Sequence, residues 1–298
     1  MKMTKEILSA LCVVLPSFVT CIIYRMLGYS IGKNAKIAIF SYVHADEIEI
    51  GNDVQIRPFV FIRVSKLSVG ANSIISFGTQ VKGRRSFVTK GNNFVGVHCI
   101  INCEEDVRIG FYSGLGSRCN VYTHGSFLPM IKGYPAKFER VVLEDYVWVG
   151  MAVTILPGTH IESNCIINPG VVLKSRIKSN TLVECSPTAF REMDLRRLQI
   201  LLQKKMSPDY CEGIVKDFLA YSQVEYVYDE KDKRFTTSDN DVFKWFPEKN
   251  LIELSHKGNP AIRYDLNAFS ADPSDLKIHR KFLFYLRRRC GIILSISY

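Results

Sequence analysis

No CxxC pair occurs in this chain, and its absence argues against a structural zinc site. The nine cysteines (Cys12, Cys21, Cys99, Cys103, Cys119, Cys165, Cys185, Cys211 and Cys290) are odd in number and mostly sit inside apolar units. That pattern suits reduced, buried thiols in a cytosol rather than a disulfide framework. No small-residue cleavage site follows the first apolar run, Ile7 to Ile23, so a secretory signal lacks its processing step. The run carries no charge, lies between Lys5 and Arg25, and is interrupted by Pro16 at the lower edge of a bilayer-spanning length. A helical cap or membrane-surface segment leads over a true span or a processed signal. Disorder is also missing from the composition, since 47% of the 298 residues are hydrophobic and 23% charged. What the chain does have is a formal charge of +10, which favours anionic partners. Phosphate-bearing cofactors, acidic glycans, an inner membrane face and nucleic acid all qualify, but no nucleic-acid motif supports the last.

From about residue 30 a hexapeptide keeps returning: IGKNAK (31–36), IGNDVQ (50–55), VGANSI (69–74), VGMAVT (149–154), ILPGTH (155–160), IESNCI (161–166) and INPGVV (167–172). The leading aliphatic residue can face inward in every unit, while Gly and Asn take the tight corners where positive φ is least costly. Such a period fits neither a helix nor an alternating strand and marks a solenoid. At three hexapeptides per turn it predicts roughly seven or eight coils of a parallel β-helix. Each coil buries its apolar side only against its neighbours, so both ends need caps.

The repeat fades after Val183. Residues 188–205 and 207–223 read as amphipathic helices, VEYVYD, FKWF, LIELS and AIRYDL as strands, residues 270–290 as a helix, and IILSIS as a closing strand. The expected organisation is an N-terminal cap (1–29), a β-helix (30–187) with a loop at 125–142, and an α+β domain (188–298).

Three blocks in order, THGSFLP (123–129), DYVWVGMAVTILPGTHI (145–161) and NPGVVLKSRIKSNTLVECSP (168–187), resemble the hexapeptide-repeat acyltransferase superfamily. The likeness spans roughly residues 30–192. It is nearest to the branch of galactoside and maltose O-acetyltransferases, nodulation-factor acetyltransferases and xenobiotic acetyltransferases. The resemblance implies a left-handed parallel β-helix, a homotrimer, and acetyl-CoA as acyl donor in the groove between subunits, with no metal. It also implies that His124, just before the loop, is the catalytic base. It places Gly150 and Met151 beside the pantetheine, Pro169 and Gly170 one coil further, Lys174 and Ser175 near the nucleotide, and Arg191 at a phosphate. Asn93, Asn102 and Tyr122 are candidates for holding the acceptor. Met151 and Pro169 depart from the usual Ser or Ala, Lys174-Ser175 from Thr-Lys, and Glu184 to Thr188 from A-G-x-P-A, which touches the adenine end most.

The chemistry is coherent with those residues. A sugar hydroxyl is a poor nucleophile until its proton leaves, and an imidazole is suited to remove it. Backbone N–H groups around Gly125 or Gly150 are candidates for the oxyanion. The group that orients His124 stays open among Glu104, Glu105, Asp106, Asp145 and a backbone carbonyl. His98 and His160 occupy regular repeat positions and read as structural, while His44 and His279 have no supporting context. The leading reading is acetyl transfer to a carbohydrate of a surface polysaccharide or its precursor, in the cytoplasm, with peripheral membrane contact through residues 7–23. The alternatives are N-acetylation of an amino sugar and a catalytically idle trimeric scaffold or glycan-binding module.

Overall fold

The computed structural model describes residues 2–125, 128–184, 210–257, 259–290, 292 and 294–296. Two compact units emerge, one of residues 1–125 and 137–189, the other of 126–136 and 190–298.

The first unit is the expected left-handed hexapeptide β-helix. Its strands are two to four residues long and belong to three parallel sheets of seven, eight and seven strands, one per face of a triangular prism. The register is strict because the inward residue of each rung stacks on its predecessor. On the second face the column is Ile37, Ile56, Ile75, Val95, Leu115, Val149, Ile167 and Val183. On the third it is Val43, Ile62, Val81, Ile101, Val121, Ile155 and Leu173. Burying each of these aliphatic side chains stabilises the stack by about 1.5–3 kcal/mol relative to exposure.

The corners are set by the same stacking. Between the first and second faces the backbone turns through positive φ at Asn34, Asp53, Asn72, Asn92, Tyr112, Tyr146, Asn164 and Asn180, mostly the residue types expected there. Between the second and third faces the same turn falls on Phe40, Phe59, Gly78, His98, Arg118, Ala152 and Gly170. Bulky residues there correct the expectation of Gly and Asn at every corner. Adjacent rungs hold the backbone in place, as when the N–H groups of His98 and Arg118 donate to the carbonyls of Phe77 and Val97 at 3.0 and 2.8 Å. The exposed rings then meet one another along the edge: Phe40 stacks on Phe59 at 5.3 Å, while Phe59 meets Phe77 at 5.3 Å and Phe77 meets His98 at 5.4 Å edge to face.

Pro16 divides the N-terminal apolar run into α1 (Lys2–Leu11), a 3-10 turn (Cys12–Val14) and α2 (Ser17–Met26). Cys12, Cys21 and Tyr24 are buried against the first rung, and the Tyr24 and Tyr29 hydroxyls donate to the Val43 and Ala45 carbonyls. These helices cap the coil. Among the described residues no helix is long and apolar enough to cross a membrane.

The second unit is a seven-stranded sheet, antiparallel except for its last pair, with α3 (Tyr210–Tyr221) and α4 (Lys277–Arg289). Phe218, Phe235, Phe243, Trp245, Tyr264 and Phe282 form its core. The strand Arg234–Thr237 was not expected from the sequence, and the last helix begins at Lys277 rather than 270. Ser270–Ala271 instead pairs with Tyr264–Asp265 as a strand. The expected helix at 188–205 lies outside the described residues. Met130 and Ile131 of the expected coil loop pack into the core of this unit, and the Met130 N–H donates to the Cys290 carbonyl at 3.1 Å.

Candidate active site

His124 stands where the third face ends. The strand Asn120–Val121 closes its rung, Thr123 is buried at the corner, and His124–Gly125 leaves the coil to pair antiparallel with the returning Lys137–Phe138. The Phe138 ring stacks on the imidazole at 5.5 Å with 28° between planes, which restrains the ring face. His124 Nδ1 lies 2.8 Å from Oδ1 of Asn102, the last residue of the strand one rung below. The orientation of that amide is fixed independently. The Glu104 N–H donates to the same Oδ1 at 3.2 Å, and a backbone donor demands the oxygen. Thr123 Oγ1 accepts from the Glu105 N–H at 2.9 Å and donates to the Asn102 carbonyl at 3.0 Å, pinning the corner between the two rungs. Because Oδ1 is the acceptor, Nδ1 carries the imidazole proton and Nε2 carries the lone pair.

A side-chain amide, rather than any of the anticipated carboxylates or a backbone carbonyl, is therefore the group bonded to Nδ1. Asp106 accepts from the Ser86 hydroxyl at 2.6 Å, Glu105 lies 3.8 Å from Arg85, and Glu104 is buried. Asp145 belongs to another edge, where the Phe111 N–H and then Lys90 hold its carboxyl below the ordinary range. Asn93 is also remote. It is buried, and its amide donates to the Gly110 and Ser113 carbonyls at 2.6 and 2.9 Å, a turn-holding arrangement with no group left for an acceptor. Tyr122 is half-buried, two residues before His124. His160 pairs with Glu144 at 2.7 Å on the first face, and that imidazole is the main cause lowering the Glu144 carboxyl.

Of the residues anticipated at a cofactor, Gly150, Met151, Pro169 and Gly170 lie on the edge between the second and third faces, whereas Lys174 and Ser175 follow Leu173 of the third face and so share the edge of His124, two rungs further along. Met151 is 59% exposed, and Pro169, Gly170, Lys174 and Ser175 are exposed beyond it. A Cβ on Gly170 would meet no atom within 4 Å, so the ground beside it is open. Gly150 is different. It is buried, its N–H donates to the Ile167 carbonyl at 2.7 Å, and a Cβ there would meet Pro169 N at 2.7 Å. Its N–H thus belongs to the coil and is engaged, which removes it as an oxyanion donor. Arg191 lies outside the described residues. One strand, about 15 Å with its flanking corner residues, separates the edge of Met151, Pro169 and Gly170 from His124 within a single chain. Sequence reasoning missed Phe138 and the orienting role of Asn102. The pitch of about twenty residues per rung, Ile100 opposite Asn120, is what brings Asn102 near His124 in the folded coil.

Residues 140–175 match the family model described as bacterial transferase hexapeptide (six repeats), which supports the resemblance to the hexapeptide-repeat superfamily. Among solved structures the chain is similar to a mutant of AntD, an N-acyltransferase from Bacillus cereus in complex with dTDP and coenzyme A. The two are 17% identical, over 62% of this chain and 97% of that one, with a TM-score of 0.38. It is also similar to a maltose O-acetyltransferase from Clostridium difficile 630, at 17% identity over 61% and 79% of the chains and a TM-score of 0.35. A third is a hexapeptide-repeat acetyltransferase from Vibrio cholerae complexed with acetyl-coenzyme A, at 17% identity over 62% and 82% and a TM-score of 0.28.

Proposed function

We propose that this protein is an acetyl-CoA-dependent O-acetyltransferase that modifies a hydroxyl of a carbohydrate, a surface-polysaccharide sugar or its precursor, in the cytoplasm. The observation that carries the reading is the 2.8 Å pairing of His124 Nδ1 with an Asn102 oxygen whose orientation a backbone N–H fixes. It leaves Nε2 as the basic nitrogen on an edge where the coil opens into a loop. The class of reaction comes from the transferase hexapeptide at 140–175 and from the resemblance stated above. Coenzyme A or its acetyl ester is present in two of the solved structures named above.

Nε2 takes the proton of the acceptor hydroxyl as its oxygen attacks the thioester carbonyl. The imidazolium then returns that proton to the departing thiolate sulfur, so no covalent acyl-enzyme is needed when both substrates meet in one groove. Asn102 holds the tautomer through both transfers, and Phe138 keeps the ring from turning. Bound acetyl-CoA supplies the activated acyl group. Met151, Pro169 and Gly170 would lie along its pantetheine, with Lys174 and Ser175 toward the nucleotide, and the open ground beside Gly170 fits such an arm. Met151, Pro169 and Gly170 occupy a different edge of the chain from His124, so in this reading a second copy brings its Met151–Gly170 edge to the His124 edge, as in a homotrimer.

Release of free thiol from acetyl-CoA in the presence of surface-glycan extract tests the reading. His124→Ala is expected to lower turnover by about 10²- to 10⁴-fold while circular dichroism and oligomeric state stay unchanged. An unaltered rate in that variant would overturn the base assignment. Finding an amide rather than an ester in the product by NMR would move the acceptor from a hydroxyl to an amino sugar.

A further inference from the structure

The end cap of a solenoid needs a polar outer surface for solubility, because its task is to terminate a stack of apolar rungs. The cap here has the opposite character. Cys12, Cys21 and Tyr24 point into the coil, and the outward positions, three or four residues apart, are Ile7, Leu11, Val14, Phe18, Ile22 and Met26. Their exposure runs from 50% at Ile22 to 82% at Met26. Across residues 7–28 the one charged residue is Arg25. A contiguous apolar surface of this kind marks an interaction site.

We propose that this outer face of α1 and α2 docks on an anionic phospholipid surface, lying in the headgroup region rather than crossing the bilayer. The charge around the strip selects that occupant. Residues 1–45 contain Lys2, Lys5, Arg25, Lys33 and Lys36 against one acid, Glu6, whose carboxylate meets Arg63 at 2.7 Å. Phe18 and Lys36 line the same surface hollow, together with one acid, Asp53, which accepts a hydrogen bond from the Asn34 amide at 3.1 Å. Arg25 donates to the Ile31 and Gly32 carbonyls at 3.1 and 2.9 Å, which fixes its guanidinium at the border of the strip. An apolar strip edged by cations matches acyl chains edged by anionic headgroups. A second copy seated symmetrically on the strip would bring a second set of the same cations to its rim, which like-charge repulsion opposes. Neither helix has the length and apolarity to span, so the contact is in-plane.

Co-sedimentation of the full chain with vesicles tests this. The protein is expected to pellet with vesicles of phosphatidylserine and phosphatidylcholine in equal parts and much less with phosphatidylcholine alone. It should be released at high salt, where the screening length contracts to about 3 Å. Phe18→Lys with Ile22→Lys is expected to lower partitioning at least about 10-fold. Lys33→Glu with Lys36→Glu is expected to weaken binding only to the anionic vesicles. All four side chains are exposed, so the thermal midpoint should hold in both variants. Wild-type protein that stays in the supernatant with either vesicle, or a Phe18→Lys/Ile22→Lys variant that pellets like wild type, would overturn the proposal. So would a doubling of mass by sedimentation velocity that the same variant abolishes, since the occupant would then be a second copy. The proposal is independent of the acetyl-transfer reading: thiol release with a soluble acceptor should be the same in this variant, and failure of that assay leaves the vesicle result standing.

Discussion

Two edges of one prism are built under opposite constraints. Where the second face turns into the third, every rung uses the same four-residue step and the same positive-φ position, even when that position is Phe40, Phe59 or Arg118. Where the third face turns into the first, the connection is short at Ala45-Asp46, longer at Cys103 to Asp106, and an excursion of more than a dozen residues after His124. The regular edge is dictated by the rung above and the rung below. The irregular edge tolerates insertions because a loop leaving outward does not disturb the inward columns. Regularity makes the first edge straight, and irregularity lets the second present a side chain the repeat never specified.

Mixing variants would strain this comparison most. If the two edges meet only between protomers, His124→Ala and Gly170→Trp are each expected to be nearly inactive alone. Refolding them together should restore a substantial share of wild-type thiol release, because mixed oligomers rebuild a site with both edges intact. No recovery on mixing would place both edges of each site in one chain.

The irregular edge can then be weakened without removing its base. Asn102→Leu is expected to lower kcat by about 10- to 10²-fold through loss of ring orientation, with KM for acetyl-CoA little changed. Asn102→Asp, which keeps an acceptor oxygen at the same place, should retain more activity than Asn102→Leu. A KM effect of equal size would make Asn102 an acceptor-binding residue instead of a positioning one.

On the regular edge the expected damage is to stability. Gly150→Ala puts a Cβ where Pro169 N stands 2.7 Å away, and pushing the rungs apart should destabilise the coil by about 1–3 kcal/mol in urea denaturation. The smallest effect is expected at the remaining edge, with Asp145→Asn. The Phe111 N–H, followed by Lys90, holds the Asp145 carboxyl below its ordinary value of 3.8. The stabilisation is therefore complete above that value and vanishes as pH falls through the lower, folded-state range. Solvent screening limits it to about 0.5 kcal/mol. Thermal melts of variant and wild type should differ slightly at neutral pH and converge on acidification; a gap that widens instead would contradict the assigned sign.

Much of this molecule was legible before any coordinates. The hexapeptides specify the inward columns, since an aliphatic residue every six positions has one way to be buried, and His124 stood out because the repeat breaks beside it. The aromatic corners were not legible. A propensity rule favours Gly or Asn at positive φ, and only the ladder from neighbouring rungs explains Phe40 and Phe59 there. The orienting partner of His124 was also out of reach, because Asn102 is 22 residues away and meets the imidazole only through the pitch of the coil. In the second unit the strand Arg234–Thr237 was missed because RFTT is too short and polar to stand out alone. It is held by antiparallel pairing on both sides, with Tyr226–Asp229 and with the strand that begins at Asp241.

The sequence by itself determined the coil, its apolar interior and the place where it is interrupted, because a short period with one buried position per unit leaves burial a single solution. The tertiary structure decided which atom of Asn102 meets His124, which glycine amides stay within the coil, and which side of the N-terminal helices is left apolar and exposed. Those outcomes depend on distances between rungs and between cap and coil, and such distances exist only once separate stretches of chain are packed together.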